Sequence, residues 1–202
     1  MQITGMLWGR KLLDLVEFPH SEVRGPELSV ADIKDMIKRH GQVFIKPLFK
    51  GGVGKKGKSG LLGRGDNITD ALKEKERLYF AEHVDGFSKV KSDGVTYEGA
   101  VPADYEVYFS ISESTEHRCP VMTVTHHGGI DIEELEEDKI RVVPFDALTG
   151  LKAFHVSNAL MELGAPPAVI SPLVQNLPKL WDLYNNYGMM MLELNPIRMQ
   201  PG

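Results

Sequence analysis

The feature that most constrains the fold is a lysine-rich glycine loop that follows a short apolar run. Residues 44–60 read Phe-Ile-Lys-Pro-Leu-Phe-Lys-Gly-Gly-Val-Gly-Lys-Lys-Gly-Lys-Ser-Gly. Glycines let backbone N–H groups approach an anion without interference from a Cβ atom, and lysines neutralise its charge. The segment therefore predicts a phosphate-binding loop; the alternative is a glycine-rich surface hairpin with solvated lysines.

Two kinds of phosphate loop fit this segment. Residues 52–59 satisfy the P-loop pattern G-x-x-x-x-G-K-S/T, but a P-loop leads directly into a helix. Here three more glycines follow, and the next helix start is an N-cap at Asn67 or Thr69. Strand-like runs at 43–45 and 59–62 flank the loop. We therefore expect a hairpin that closes over a nucleotide rather than a P-loop.

Composition narrows the class of protein. The chain has 202 residues, of which 42% are hydrophobic and 25% charged, and its net charge is −5. These values are typical of a globular protein and exclude a disordered one, and the apolar runs are too short to span a membrane. One basic loop in a mildly acidic chain favours a local anion site over nucleic-acid binding. A single cysteine, Cys119, and the lack of a signal peptide pattern predict a cytoplasmic protein.

Hydrophobic periodicity predicts an α+β chain in two parts. In the first part we expect helices at 9–17, 30–39 and 70–82, with Ser29 capping the second, and a polar hairpin around 91–94. After Pro102 we expect an antiparallel pair at 105–111 and 120–125, a strand at 140–144, helices at 151–163 and 167–186, and a buried strand at 189–197.

Two further segments carry polar groups in suggestive places. Glu193 and Asn195 lie two residues apart near the end of the last strand, and their oxygens suit Mg²⁺. The alternative is that an Asn-Pro pair ends the strand and Glu193 faces solvent. Residues 97–102 connect the two parts, so Glu98 and nearby backbone groups could hold adenine or ribose. The alternative there is an ordinary linker.

In this order the features resemble the ATP-grasp portion of the β-type subunit of NDP-forming acyl-CoA synthetases, the group that contains succinyl-CoA synthetase and ATP-citrate lyase. The resemblance rests on the strand lysine, the glycine loop, the linker glutamate, Gly-Gly-Ile-Asp at 128–131, Asp-x-Leu-Thr-Gly at 146–150 and Glu-x-Asn-Pro at 193–196. It implies an α+β ATP-grasp fold over residues 1–202, with mixed or antiparallel sheets flanked by helices. A small lid subdomain at about 22–98 and a larger subdomain, 1–21 plus 99–202, would enclose the nucleotide in the cleft between them.

The resemblance also implies roles for individual residues. Lys46 is expected on the nucleotide phosphates, Glu98 near the ribose or base, and Val101 at the adenosine through its backbone. Asn195 is the implied magnesium ligand, and Glu193 the acid beside the phosphoryl-transfer centre. The implied cofactors are therefore ATP and Mg²⁺. The full set of implied nucleotide contacts is Lys46, Gly52, Val53, Gly54, Glu98, Val101 and Glu106.

The implied function is the ATP-binding, phosphoryl-transferring module of a carboxylate–CoA ligase, an NDP-forming acid–thiol ligase. It is most like ATP-citrate lyase or citryl-CoA synthetase, with the succinyl-CoA synthetase β subunit as the alternative. The implied partner is an α-type CoA-ligase subunit or domain that carries the phosphorylated histidine, in a hetero-oligomer without nucleic acid or membrane. The chain stops before the family's second metal-binding acid, so we expect a C-terminally truncated module that is inactive without that part and its partner.

The chain departs from the family pattern in its loop and near the Gly-Gly segment. Val53 stands where the family has arginine, and His127 where an acid is common. A metal site at His126 and His127 is disfavoured because adjacent strand residues point to opposite faces. The competing functions are a non-catalytic nucleotide-binding or regulatory domain, a P-loop kinase or NTPase, and a basic-loop protein that binds phosphorylated partners without nucleotide.

Overall fold

A computed structural model describes residues 3, 5–49, 60–85, 88–128 and 135–199 of the chain. Contacts divide it into two units, residues 1–14 with 20–101 and residues 15–19 with 102–202. The expected subdomains, about 22–98 and 1–21 plus 99–202, stay a prediction. Among the described residues, no helix is both long and apolar enough to cross a membrane.

The first unit alternates short helices with the strands of one sheet. Its helix α1 begins and ends three residues earlier than expected, and the other two helices lie close to their predicted positions. The elements are α1 (Met6–Asp14), β1 (Val23–Arg24), α2 (Val30–His40), β2 (Val43–Phe49), β3 (Gly63–Gly65), α3 (Ile68–Tyr79), β4 (Glu82–Asp85) and β5 (Ser88–Gly99).

Side-chain caps define where α2 and α3 begin. Ser29 accepts a hydrogen bond from the Asp32 N–H at 3.2 Å, and the Asp32 carboxylate accepts one from the Ser29 N–H. Asn67 accepts from the Asp70 N–H at 3.0 Å. These bonds satisfy backbone donors that have no partner inside the first turn. The predicted caps at Ser29 and Asn67 are confirmed.

The sheet of the first unit has the order β1-β5-β2-β3, and all its strand pairs are antiparallel. β2 and β3 form the predicted hairpin, with the second strand at Gly63–Gly65 instead of 59–62. The predicted hairpin turn at 91–94 is wrong, because β5 continues through these residues. Its first half pairs with β4 and its second half with β2, so pairing along the whole strand overrides the local turn preference.

Helices α2 and α3 cover one face of this sheet. Ile33 and Met36 of α2 and Ala71 and Leu78 of α3 pack against the inward residues of β2 and β5. Alternate residues of β2 are buried and half-buried, which matches a strand with one face on the core. The apolar cluster comprises Ile33, Met36, Val43, Ile45, Phe49, Leu61, Ala71, Leu78, Val95 and Tyr97.

The second unit is a four-stranded antiparallel sheet with the order β8-β7-β6-β9 and three helices. The predicted pair at 105–111 and 120–125 is confirmed as β6 and β7. The elements are β6 (Tyr105–Ser114), β7 (Cys119–Thr125), a 3₁₀ turn (Glu137–Lys139), β8 (Arg141–Pro144), α4 (Ala153–Glu162), α5 (Pro167–Asn176), α6 (Lys179–Asn186) and β9 (Met191–Met199).

Two predictions for the second unit are wrong. The expected single helix at 167–186 is two helices, because Pro178 has no N–H for the helical ladder and its ring opposes continuation. The expected buried strand at 189–197 is shifted to Met191–Met199, with Leu192 buried and Met191 exposed. β9 lies at the end of the sheet order, so it packs less fully than the interior strands.

Candidate functional site

Lys46 and Glu98 form an ion pair on one face of the first sheet. Lys46 of β2 lies opposite Thr96 of β5, and Glu98 is two residues further along β5. Residues two apart on a strand share a face, so the two side chains are diagonal neighbours. Lys46 Nζ donates to Glu98 Oε2 at 2.5 Å. Lys46 and Glu98, each of which was predicted to contact a nucleotide, are therefore in direct contact with each other.

Burial of the two partners is unequal. Glu98 is 8% exposed because β5 is flanked by β1 and β2, whereas Lys46 is half-buried. A buried carboxylate is stable only when it is paired or hydrogen-bonded. Lys46 therefore stabilises Glu98, and 31% of the Lys46 side chain remains exposed to solvent.

The predicted loop contacts Gly52, Val53 and Gly54 lie outside the described residues. The residues that follow the loop are described, and they bear on the P-loop alternative. Residues 60–62 are non-helical, Gly63–Gly65 is a strand, and α3 begins only at Ile68. A P-loop helix would begin directly after the loop. The described geometry is therefore that of a hairpin.

The end of β5 is held in place as it approaches Val101, the last residue of the first unit. The Gly99 N–H donates to the Glu22 carbonyl at 3.0 Å, and the Ala100 N–H donates to the Gln42 carbonyl at 3.0 Å. A Cβ atom on Gly99 would lie 2.7 Å from the His40 ring. Only glycine fits this close approach.

Glu22 and His40 are residues that sequence reasoning did not identify. His40 Nε2 lies 3.0 Å from Glu22 Oε2, and Arg39 and Arg24 also pair with this carboxylate. The Arg39 guanidinium, helped by His40 and Arg24, lowers the pKa of Glu22 to about 2. Arg39 and His40 end α2, whereas Glu22 and Arg24 lie at β1, so the cluster joins two segments and no local sequence pattern indicates it.

In the second unit, Glu106 pairs with Arg198 across strands β6 and β9. The two residues are register partners, and Arg198 Nε donates to Glu106 Oε1 at 3.0 Å. The Gly128 N–H donates to the Glu106 carbonyl at 2.6 Å, just after the end of β7. Arg198 was not identified from the sequence, because its place opposite Glu106 depends on the strand register.

Glu193 and Asn195 are both exposed on β9, but they do not belong to one regular strand. Glu193 lies opposite Ser110, whereas Asn195 and Pro196 lie opposite Tyr108 in a register shift. Two residues that face one residue form a β-bulge, so side-chain alternation does not place Glu193 and Asn195 on the same face as the sequence predicted. Burial, together with the nearby Glu193 charge, raises the pKa of Tyr108, which places that phenol close to the predicted acid.

The two adjacent histidines do not point to opposite faces as expected. Their ring centroids are 4.2 Å apart, because β7 ends at Thr125 and strand alternation no longer applies. Burial and the charge of His127 lower the pKa of His126. No group of three or more histidine, cysteine or acidic side chains suited to a metal occurs in the described part of the chain.

The chemistry of the donors on β9 fits a nucleotide-bound magnesium ion. Mg²⁺ takes one or two protein oxygens, keeps several waters and uses phosphate oxygens for the rest of its shell. Glu193 and Asn195 offer a carboxylate and an amide oxygen on an exposed strand. Such a site needs no larger protein cluster, so the residues present suit the ion.

Comparison with known proteins identifies the family. A family model described as ATP-grasp domain matches residues 18–199. The ADP-forming succinate–CoA ligase subunit beta of Desulfatibacillum aliphaticivorans is 29% identical over 178 residues, which cover 85% of this chain and 46% of that protein. The chain spans about half or less of the length of the curated relatives that it matches.

Solved structures show the same fold. ATP citrate lyase from Methanothrix soehngenii, in complex with citrate and coenzyme A, has a TM-score of 0.66 at 20% identity and covers 95% of this chain and 44% of that one. Dinucleotide forming acetyl-coenzyme A synthetase 1 from Ca. Korarchaeum cryptofilum, with coenzyme A, Ca-AMPCP and HgCl⁺, has a TM-score of 0.73 at 14% identity. This match covers 97% of this chain and 86% of that chain. The chain belongs to the ATP-grasp domain family, in which it matches the ATP-grasp portion of NDP-forming acyl-CoA synthetases.

Proposed function

We propose that this chain is the ATP-binding, phosphoryl-transferring module of a carboxylate–CoA ligase. The observation that carries the proposal is the Lys46–Glu98 pair, a partly exposed lysine side chain whose amino group contacts a buried carboxylate at 2.5 Å. Phosphoryl transfer requires mainly positioning and charge neutralisation. A lysine fixed in this way is suited to both tasks.

In the first unit, Lys46 contacts the phosphates and Glu98 orients Lys46 and accepts from the ribose or base. The backbone at Val101 contacts the adenosine, and the loop residues Gly52, Val53 and Gly54 cover the phosphates. In the second unit, Glu106 is a further acid on the nucleotide side.

Asn195 is the proposed magnesium ligand, and Glu193 is the acid beside the phosphoryl-transfer centre. When bound, Mg²⁺ neutralises phosphate charge and orients the transferred group. The protein's own part is to present two exposed oxygens on β9, which the bulge at residues 195–196 places beside β6.

The partner in this proposal is an α-type CoA-ligase subunit or domain that carries the phosphorylated histidine, within a cytoplasmic hetero-oligomer. We favour an enzyme like ATP-citrate lyase or citryl-CoA synthetase, with succinyl-CoA synthetase as the second candidate. The ligase reaction needs this partner, because no acyl-CoA chemistry is assigned to residues of this chain. A non-catalytic nucleotide-binding domain is the competing function.

Isothermal titration with Mg-ATP tests the nucleotide site. Lys46→Ala should weaken binding by about tenfold or more, the cost expected for losing a charge-assisted contact. Lys89→Ala is the matched control, since Lys89 is also on this sheet but pairs with the exposed Glu82. No saturable binding by the unaltered chain at millimolar Mg-ATP would refute the proposal. A larger loss in Lys58→Ala than in Lys46→Ala would favour the P-loop alternative.

A phosphorylation assay separates a ligase module from a non-catalytic domain. A version of the chain extended through the family's next strand, which carries the second metal-binding acid, is mixed with an α-type subunit of a relative and γ-labelled Mg-ATP, and acid-labile label on the partner's histidine is measured. The ligase proposal expects label that disappears in Glu193→Gln. Nucleotide binding without any label on the partner would instead support the non-catalytic function.

A further inference from the structure

Arg198 makes a two-nitrogen contact with the Glu106 carboxylate. Its Nε and Nη2 atoms both lie 3.0 Å from Glu106 Oε1. Both side chains are partly exposed, with 39% of Arg198 and 33% of Glu106 accessible to solvent. Two guanidinium nitrogens on the same oxygen hold Oε1 from two directions, which a single ammonium does not.

The β-bulge in β9 puts Arg198 on this face of the sheet. Glu193 lies opposite Ser110 and Arg198 lies opposite Glu106, and the two β6 residues share one face. Positions 193 and 198 differ by five, so in a regular strand they would point to opposite faces. Because the bulge at 195–196 adds one residue, positions 193 and 198 point to the same face. The bulge therefore brings Arg198 to the same face as the proposed phosphoryl-transfer acid.

The backbone of Glu106 is fixed from the β7 side as well. The Gly128 N–H donates to its carbonyl at 2.6 Å. A Cβ atom on Gly128 would lie 2.8 Å from the carbonyl carbon of Glu106 and 2.8 Å from the nitrogen of Val107, so the two backbones are in close contact. Glu106 thus has its main chain held by Gly128 and its side chain held by Arg198.

We propose that Arg198 is a positioning residue that orients the Glu106 carboxylate as a hydrogen-bond acceptor for the ribose hydroxyls of the bound nucleotide. An ionised carboxylate only accepts hydrogen bonds, so within a nucleotide it pairs with the hydroxyl and amino donors and not with the phosphates. The Nε and Nη2 contacts both fall on Oε1, so these two contacts do not occupy Oε2. This inference rests on the proposed nucleotide-binding function.

Titrations with Mg-ATP and with its 2′,3′-dideoxy analogue, which lacks both hydroxyls, test the inference. Arg198→Ala should weaken Mg-ATP binding by about tenfold and leave binding of the dideoxy analogue unchanged. Glu106→Gln keeps the side-chain shape and should show the same pattern. Arg198→Lys keeps the charge but loses the two-nitrogen contact, so it should recover only part of the loss. In the double variant of Arg198→Ala and Glu106→Gln, the loss should not exceed that of either change alone.

Arg141→Ala is the matched control, because Arg141 pairs with Glu162 at 3.1 Å elsewhere in the second unit. It should leave both affinities unchanged. Equal weakening of ATP and the dideoxy analogue in Arg198→Ala would show a structural role and overturn the inference, as would unchanged ATP binding. Failure of the unaltered chain to bind Mg-ATP would instead overturn the proposed function together with this inference.

Discussion

Replacing Lys46 by alanine should destabilise the first unit even without nucleotide. The change leaves the Glu98 carboxylate, which is 8% exposed, without the cation that contacts it at 2.5 Å. Removing one partner of a buried pair costs ~3–5 kcal/mol. The Lys46 side chain is 31% exposed, and solvent screens the pair. We therefore expect the free energy of unfolding to fall by about 2 kcal/mol.

The double variant Lys46→Ala, Glu98→Gln separates this effect from nucleotide binding. An amide in place of the carboxylate removes the uncompensated charge, so most of the lost stability should return while Mg-ATP binding stays weak. Urea unfolding measures stability and titration calorimetry measures binding. Lys89→Ala, which breaks the exposed pair with Glu82, should leave the free energy of unfolding unchanged within the error of the measurement.

Two results would refute this reasoning. If Lys46→Ala unfolds at the same urea concentration as the unaltered chain, the pair contributes nothing to stability. If the double variant is as unstable as Lys46→Ala, the loss does not come from an unpaired carboxylate. In either case Lys46 could still bind phosphate, and the binding data would decide that separately.

Three other predictions concern stability. Tyr97→Phe should not lower the free energy of unfolding measured in urea, and should raise it by up to about 1 kcal/mol, because no described residue hydrogen-bonds to the buried Tyr97 hydroxyl. A lower free energy of unfolding would show that the hydroxyl has a partner. Gly150→Ala should cost about 2 kcal/mol or more in the same assay, since its φ of 74° disfavours a side chain and a Cβ atom would meet the Trp181 ring; an unchanged midpoint contradicts this. Acid should weaken the start of α4, because His155 Nδ1 accepts from the Lys152 N–H at 3.0 Å and must be unprotonated to do so. Burial, with the Lys152 charge, lowers the pKa of His155 below its usual 6.5, so the unfolded chain binds more protons and stability falls as pH drops below about 6.5. His155→Gln should flatten this pH dependence between about pH 7.5 and 5.5, and an unchanged slope would contradict it.

Local features of the fold were predictable because their causes are local. The Ser29 and Asn67 caps satisfy donors three residues away, and β6 and β7 are apolar runs separated by a short polar turn. The prediction of a turn at 91–94 was wrong because it considered only the turn preference of these residues. Pairing of β5 with two strands outweighs that preference, and strand partners are not visible in a short window.

The candidate site was predicted only in part, for the same reason. Lys46 and Glu98 were both identified, each from its own segment and the family resemblance. Their contact joins residues 52 positions apart and depends on the β2–β5 register. Arg198 was missed because a regular strand would turn it to the other face, and only the bulge reverses this.

The amino-acid sequence by itself determined the helix caps, the α+β class, the pairing of the strands on either side of the glycine-lysine segment and the order of motifs that indicates the family. These depend on backbone preferences and periodicity within a few residues. Tertiary structure alone decided which charges meet, namely Lys46 with Glu98 and Glu106 with Arg198. Cross-strand neighbours are set by register, and a shift of one residue exchanges the faces of a strand.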